Sequence, residues 1–323
     1  MKNLNKIKVT FCPGPGALIS EWFENQKEYF GRGDIEYQYI KNKTLNWLKL
    51  ISGQDKIVPI SGSATTAAII AINAFLNGNI LVVKTGYYSD RWLNYLLKTK
   101  SKNNIRSIEY EDFIKKKKIP NINWIVFVYV ETASCIKYDL KKAHKISKKS
   151  NSKLFLDSTA SIGLETNHHL ADVLIFSSCK GLFGPTGLGF IGHKNKLKIK
   201  RHKDFWLDYN THDQAMYTLG YNCMASLFSI SKNHNFYVKK IKYAAKILKK
   251  FNIFKKSAKI GIALKNKIFN KNINNTIFYL PRKFPGYDVI FFLGLIKFTK
   301  KEIVSILKKR IINNFDLNSK TIQ

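Results

Sequence analysis

The sequence predicts an α/β fold in which a mostly parallel central sheet is flanked by helices, followed by a small C-terminal α+β domain. Three observations carry this prediction. Short apolar runs typical of buried strands alternate with helical segments up to about residue 200. Small and polar residues directly follow several of these runs, and the alternation ends after residue 203. Strands that alternate with helices usually form a parallel sheet covered on both faces.

The elements of the first part of the chain follow from the spacing of its apolar and turn-forming residues. Helices are predicted at residues 19–30, 37–52, 66–76, 89–98 and 140–150. Strands are predicted at residues 56–60, 79–84, 106–110, 124–130, 153–156, 173–176 and 188–192. In such a sheet the ligand lies beyond the carboxyl ends of the strands, and the polar clusters of this sequence occur there.

The change of pattern after residue 203 predicts a second, smaller domain. A loop is expected at residues 205–213, and the helices and strands that follow are predicted at 217–231, 237–251, 276–280, 289–295 and 300–313. We therefore expect a large domain with an N-terminal arm over residues 1–235 and a small domain over residues 236–323.

Composition limits the classes of protein to consider. The 323 residues contain no apolar stretch near the roughly 20 residues that a membrane span needs, so no membrane partner is expected. The N-terminus lacks the long apolar segment of a signal peptide. The four cysteines have no paired spacing, which argues against a disulfide framework and a zinc site. These features predict a cytoplasmic protein.

The formal charge of +34 raises the question of a nucleic-acid partner. The lysines are scattered among asparagine and isoleucine, and no zinc-finger, RNP-type or helix-turn-helix motif accompanies them. A compositional bias explains this charge, and specific nucleic-acid binding is not predicted. An anionic substrate is favoured by such a field.

Lys180 is unusual because it lies between two predicted strands, in the segment ADVLIFSSCKGLFGPTGLGFIGHK at residues 171–194. An amine at the edge of a core is costly unless it is neutral, paired or covalently used. The alternative is an ammonium that reaches the surface along its apolar stem. The segment alone does not decide between the two.

Four motifs at strand ends point to chemistry. SGSATT at 61–66 can form an anion site at a helix N-terminus or an ordinary N-cap. Asp157 ends a buried strand, where it can pair with a protonated ring nitrogen or cap a turn. YVETASC at 129–135 and TGYYSDR at 85–91 have ordinary loop and capping roles when each is taken alone. Together the motifs supply an anion cradle, a stacking ring, an acid and an amine.

The same motifs resemble, in order and spacing, those of the class V aminotransferases of PLP fold type I. The segments that carry the resemblance are PGP at 13–15, SGSATTA at 61–67, residues 86–91, VETASC at 130–135, LFLDSTASIG at 154–163 and SSCKGLFGPTGLGF at 177–190. It covers roughly residues 7–225. The chain is most similar to the alanine–glyoxylate, serine–pyruvate and 2-aminoethylphosphonate–pyruvate enzymes, which implies pyridoxal 5'-phosphate (PLP) as cofactor.

The resemblance assigns two catalytic residues. Lys180 matches the lysine that forms a Schiff base with the cofactor and later moves a proton. Desolvation is expected to lower its pKa, so that the free amine can attack. Asp157 matches the partner of the protonated ring nitrogen, which makes the ring an electron sink.

The resemblance also implies the residues that bind the cofactor and the partner subunit. Tyr88 matches the aromatic residue that stacks on the ring, although its neighbour Tyr87 is an alternative. The remaining positions are the phosphate loop, the hydroxyl near the 3'-oxygen and two hydroxyls of the later motifs: Ser63, Ala64, Thr65, Thr132, Thr159 and Ser178. Thr218 matches a threonine that reaches the cofactor phosphate of a neighbouring subunit, which implies a homodimer with shared active sites.

Three positions depart from the family pattern. Cys179 stands where glutamine is common, which removes an amide donor, and Ala64 replaces a glycine of the phosphate loop. Phe292 aligns with the arginine that clamps the substrate carboxylate. Arg32 and Arg282 are the candidates to replace this arginine.

These observations predict a PLP-dependent aminotransferase that moves an amino group from a small amino compound to a 2-oxo acid such as pyruvate or glyoxylate. Because Phe292 argues against an ordinary carboxylate clamp, 2-aminoethylphosphonate is the favoured donor. Two alternatives stay open: a PLP-dependent lyase or decarboxylase on the same fold, and a non-catalytic relative with a basic binding surface.

Overall fold

The computed structural model describes residues 9–14, 16–27, 31, 33–217, 219–254, 256–271, 273, 275–279 and 286–311. The strands of these residues are β1 (Val9–Phe11), β2 (Lys56–Ser61), β3 (Ile80–Lys84), β4 (Ile105–Glu109), β5 (Trp124–Val128), β6 (Val130–Glu131), β7 (Ile136–Lys137), β8 (Lys153–Asp157), β9 (Val173–Ser177), β10 (Leu188–His193), β11 (Gly261–Lys265), β12 (Thr276–Phe278) and β13 (Tyr287–Phe291). The helices are α1 (Ile35–Ser52), α2 (Ala64–Phe75), α3 (Tyr87–Thr99), α4 (Tyr110–Phe113), α5 (Leu140–Lys149), α6 (Tyr209–Asp213), α7 (Tyr221–Leu248) and α8 (Lys300–Lys308).

A seven-stranded sheet in the order β2-β10-β9-β8-β5-β3-β4 forms the centre of the molecule. Strands β9, β8, β5, β3 and β4 pair in parallel, whereas β10 runs antiparallel to both of its neighbours. In this register Phe190 lies opposite Phe176 on one side and Pro59 on the other. The prediction of a mostly parallel central sheet is therefore confirmed.

Helices cover both faces of the sheet, as the alternating sequence predicted. The helices α2 and α3 pack on one face through apolar residues such as Ile70 and Trp92. On the other face lie α1, α5 and the first part of α7, which contribute residues such as Leu48, Ile146 and Leu227. Strands β5 and β9 are buried along their whole length because both of their faces meet helices.

A third apolar core joins the C-terminal part of the chain to the N-terminal arm. It contains residues of β11, β13, α8 and the second half of α7, together with Val9 and Phe11 of β1. Strand β1 pairs in parallel with β12, and β11 pairs antiparallel with β13. The arm is thus held by the small C-terminal part and leads from there towards Lys180.

Two helix predictions are wrong. Residues 19–30 contain a single 3₁₀ turn, Ser20–Trp22, among the described residues. The two helices predicted at 217–231 and 237–251 are one continuous helix, α7. The polar residues at its centre are compatible with a helix because they find partners elsewhere: the Asn233 amide donates to Glu21 (3.0 Å), and the His234 ring bonds to the Gly181 carbonyl (2.8 Å).

Smaller differences occur near the predicted domain boundary. The boundary at residue 235 lies inside α7, whose two halves belong to different cores, and the division into two domains stays a prediction. The predicted loop at 205–213 contains the short helix α6, and strand β11 was not predicted. No helix in the described ranges has the length and apolar character that crossing a bilayer demands.

Gly294 provides a test of the contact between the arm and the small C-terminal part. A Cβ atom at this position would overlap the carbonyl oxygen of Thr10. We expect Gly294→Ala to lower the free energy of unfolding by about 1 to 3 kcal/mol, the usual cost of overpacking, measured by urea denaturation. Gly33→Ala is the matched control, because no described heavy atom lies within 4 Å of its Cβ position. Equal stability of the two variants would contradict the contact.

Candidate active site

The strand-end motifs meet at one edge of the sheet. Asp157 ends β8, Lys180 follows β9, and Glu131 follows β5 within the short strand β6. These three strands are neighbours and parallel in the order β9-β8-β5, so their carboxyl ends lie side by side. The loops after β2 and β3 open at the same edge. The topology therefore brings the predicted amine, acid, anion loop and aromatic segment to one region.

Lys180 lies between the sheet edge and the N-terminal arm. Its Nζ donates a hydrogen bond to the Pro13 carbonyl oxygen at 3.4 Å. Gly14 passes so close that a Cβ there would lie 2.6 Å from the Cys179 oxygen, at a φ of +128°. Burial lowers the pKa of the Lys180 amine, while Cys179 and the Asp157 carboxylate act in the opposite direction. An amine that is easily deprotonated is suited to nucleophilic attack.

Asp157 is buried, with 4% of its surface exposed. The indole Nε1 of Trp92 donates to its Oδ2 at 2.9 Å, and the Thr159 backbone N–H donates to its Oδ1 at 3.0 Å. A carboxylate has about four lone-pair sites, so Asp157 can accept a further hydrogen bond from a protonated ring nitrogen. Sequence reasoning missed Trp92, although a buried indole N–H normally needs an acceptor.

The loop before α2 leaves an open helix N-terminus. Ser63 caps the helix: its Oγ accepts from Thr66 N, and its own N–H donates to Thr66 Oγ1, both at 3.3 Å. Ala67 N donates the first intrahelical bond to the Ser63 carbonyl at 3.0 Å. The N–H groups of Ala64 and Thr65 precede this bond and point to the space beyond the helix, which suits an anion.

The aromatic segment at the start of α3 lies beside this loop. The rings of Tyr87 and Tyr88 meet edge to face with centroids 5.3 Å apart. The Arg91 guanidinium carbon lies 4.9 Å from the Tyr88 centroid and 5.5 Å from that of Tyr87. Arg91 Nη1 also donates to Thr65 Oγ1 at 3.3 Å, which connects the aromatic segment to the anion loop.

Glu131 is a second buried carboxylate of the site, for which sequence reasoning assigned no role. Its Oε2 accepts from Tyr88 N and its Oε1 from Ala133 N, both at 3.0 Å. Burial raises the pKa of Glu131 to about 7, the two N–H donors oppose this rise, and the charges of Asp157 and Asp90 add to it. Glu131 therefore fixes the first turn of α3 to the end of β5.

The other predicted cofactor residues differ in what their side chains do. Thr132 is buried beside Glu131, and Thr159 Oγ1 is buried without a hydrogen-bond partner in the described chain. Ser178 Oγ donates to the Pro185 carbonyl at 2.5 Å and so holds the Gly/Pro-rich loop. The roles of these residues towards a cofactor stay predictions. Thr218, Arg32 and Arg282 lie outside the described residues.

Phe292 belongs to the C-terminal core. Its side chain is completely buried among residues such as Ile260, and its backbone N–H donates to the Ile260 oxygen at 3.0 Å. The position therefore offers apolar packing in place of a charge. Position 292 itself therefore supplies no guanidinium to a substrate carboxylate.

The pH dependence of stability tests the burial of Glu131. Its raised pKa means that the folded protein keeps a proton that the unfolded chain loses between about pH 5 and 7, so stability from this group falls as pH rises through that window. We expect this loss to be about 2 to 3 kcal/mol between pH 5 and 8 in cofactor-free protein, measured by urea denaturation. Glu131→Gln should remove this pH-dependent loss of stability, and the exposed-site control Glu111→Gln should retain it. The same pH slope in Glu131→Gln and wild type would refute this.

Comparisons with known proteins agree with the fold. A 2-aminoethylphosphonate–pyruvate transaminase from Pseudomonas aeruginosa is 26% identical over 208 residues, or 59% of this chain, and the match spans 56% of that relative's length.

Solved structures similar to this fold include an aspartate aminotransferase from Thermus thermophilus, with a TM-score of 0.79 and 14% identity over 93% of this chain and 97% of that one. An alanine–glyoxylate aminotransferase from Nostoc sp. has a TM-score of 0.77 and 14% identity over 94% of both chains. These likenesses confirm the predicted PLP fold type I. The sequence profile described as aminotransferase class V matches residues 28–205, which is more than half of the chain. The chain belongs to the class V aminotransferase family.

Proposed function

We propose that the protein is a PLP-dependent aminotransferase that moves an amino group from a small amino compound to a 2-oxo acid such as pyruvate or glyoxylate. One observation carries the proposal. A lysine with a lowered pKa and a buried aspartate end adjacent parallel strands, next to an open helix N-terminus. The amine would hold this cofactor at its reactive end, and the acid would hold its ring nitrogen. The anion site would hold its phosphate.

The polar groups around the site fit PLP. The hydroxyl oxygens of Thr85 and Thr159 are buried, and neither has a hydrogen-bond partner within the described ranges. Buried hydroxyls of this kind are rare unless a ligand or water completes them. Asp157 has accepting capacity left for a ring N–H, and Ala64 and Thr65 offer N–H groups to a phosphate.

Each residue has a separate task in the proposed reaction. When bound, PLP supplies an aldehyde that captures amines and a ring that withdraws electrons from the substrate. Lys180 holds the cofactor and, once released, moves the proton at the carbon that bears the amino group. Asp157 keeps the ring nitrogen protonated through its negative charge. Tyr88 covers one face of the ring and excludes water from it.

The proposed substrate is a small amino compound with an anionic group, and 2-aminoethylphosphonate with pyruvate as acceptor is the favoured pair. Two observations support this choice. The relative from P. aeruginosa is named for these two substrates. Phe292 lies in the apolar core, so a donor whose anionic group is an α-carboxylate has no arginine at that position.

We further propose a homodimer with shared active sites. Tyr217, directly before Thr218, accepts a hydrogen bond from Ser61 N at 3.2 Å and bonds to the His212 ring at 2.7 Å. These contacts lie within one chain, and the proposal of a homodimer rests on the match of Thr218 to a threonine that reaches a neighbouring subunit. A monomer in light scattering at micromolar concentration would contradict this proposal. A cytoplasmic location stays a proposal that rests on the cysteine pattern, and cell fractionation tests it.

Covalent labelling tests the role of Lys180. We expect protein that is mixed with PLP and reduced with borohydride to carry the cofactor on the peptide that contains Lys180, as detected by mass spectrometry. Lys180→Ala should lose this label, the visible absorbance of the bound cofactor and all measurable turnover. Lys196→Ala, which changes an exposed lysine nearby, is the control. Unchanged label or absorbance in Lys180→Ala would sink the proposal.

Half-reactions test the substrate class. With PLP-loaded protein, 2-aminoethylphosphonate should convert the cofactor to pyridoxamine phosphate and release an aldehyde, and pyruvate or glyoxylate should reverse the spectral change. Propylamine, which lacks the phosphonate, should react at least about tenfold more slowly because it loses one charge-assisted contact. Equal rates would contradict the substrate proposal. With an α-amino acid as donor in the same assay, loss of carbon dioxide or another carbon–carbon bond cleavage without pyridoxamine phosphate would favour a lyase or decarboxylase.

A further inference from the structure

Arg91 is a positively charged residue of the site that the proposed reaction has not used. It lies one turn into α3, is half-buried, and rests against both tyrosine rings, with its guanidinium carbon 4.9 and 5.5 Å from their centroids. The rings cover apolar faces of the guanidinium and restrict its orientation. Its plane is thus held by packing before any ligand arrives.

The polar contacts of Arg91 leave most of its donors available. Nη1 donates to Thr65 Oγ1 at 3.3 Å, which is a neutral acceptor. Although Asp90 is its neighbour in the chain, no carboxylate of the described residues forms an ion pair with Arg91. A guanidinium has five N–H donors, and one hydroxyl does not balance its charge.

The Arg91 charge lies beside the N-terminus of α2. Thr65 is the second residue of α2, and its backbone N–H is one of the two that precede both the Ser63 cap bond to Thr66 and the first intrahelical bond. Arg91 therefore brings a full positive charge to a helix end that already carries a partial one. The two together favour a doubly charged, multi-oxygen anion, which a guanidinium can bind through two parallel hydrogen bonds.

We propose that Arg91 binds the phosphate of the cofactor, together with the backbone N–H groups at the start of α2. This inference rests on the proposed function, because it takes PLP as the ligand. In the same arrangement Arg91 fixes Tyr88 relative to the phosphate, so one side chain sets the distance between the phosphate and the stacking ring.

The test compares PLP with pyridoxal, which has the same aldehyde and ring but no phosphate. Both are titrated into cofactor-free protein, and binding is followed by absorbance and protein fluorescence. Arg91→Gln keeps a donor for Thr65 and removes the charge. It should weaken PLP binding by about 10- to 100-fold, the usual worth of a charge-assisted hydrogen bond, and change pyridoxal binding by less than about threefold. Arg91→Lys should fall between Arg91→Gln and wild type, and the exposed-site control Arg106→Gln should match wild type.

Two results would overturn the inference. Unchanged PLP affinity in Arg91→Gln would exclude contact with the phosphate, and equal losses for PLP and pyridoxal would mean that Arg91 acts by holding Tyr88 alone. Wild-type protein that fails to bind PLP would overturn the proposed function and this inference with it. If the wild-type protein binds PLP, the Arg91 variants test this inference alone. Circular dichroism checks that the variants fold. If Arg91→Gln does not fold, the ratio of PLP to pyridoxal affinity in Arg91→Lys decides, since an unchanged ratio contradicts the proposal.

Discussion

The burial of the Lys180 amine at the carboxyl edge of the sheet is the constraint on which the rest of the site depends. A buried ammonium costs free energy. Burial therefore lowers the pKa of Lys180 and favours the neutral amine. The N-terminal arm closes over it, with the Pro13 carbonyl accepting its hydrogen bond and Gly14 lying against Cys179. The arm is itself held by the C-terminal part through β12 and the apolar contacts of β1. Packing far from the site therefore determines the environment of one amine.

Two buried carboxylates, Asp157 and Glu131, order the site through their hydrogen bonds. Asp157 is held by Trp92 and by the Thr159 N–H, which leaves it able to accept one more hydrogen bond. Burial raises the pKa of Glu131 to about 7 although two backbone N–H groups donate to it, and these two hydrogen bonds fix the start of α3. The two carboxylates thus have different hydrogen-bond partners, although they follow or end neighbouring strands, β5 and β8. Asp157 keeps accepting capacity for a ligand, and Glu131 positions the residues beside it.

Most of the sheet and the location of the site could be predicted from the sequence, because buried strands and the polar residues that end them leave strong local patterns. The antiparallel direction of β10 and the strand order depend on long-range pairing, which no local pattern records. The unbroken helix α7 was missed because Asn233 and His234 look like helix-breaking polar residues until Glu21 and Gly181 supply their partners. Trp92 and Arg91 were missed because their roles come from contacts with residues 65 and 26 positions away in the chain.

A crystal structure of the protein with PLP tests the central claim most directly. The account predicts continuous electron density between Lys180 Nζ and the cofactor, with an Asp157 carboxylate oxygen about 3 Å from the ring nitrogen and the phosphate at the start of α2. The hydroxyl of Thr159 should gain a hydrogen-bond partner in the same structure. A cofactor attached to another lysine, or bound with its ring nitrogen away from Asp157, would contradict the account.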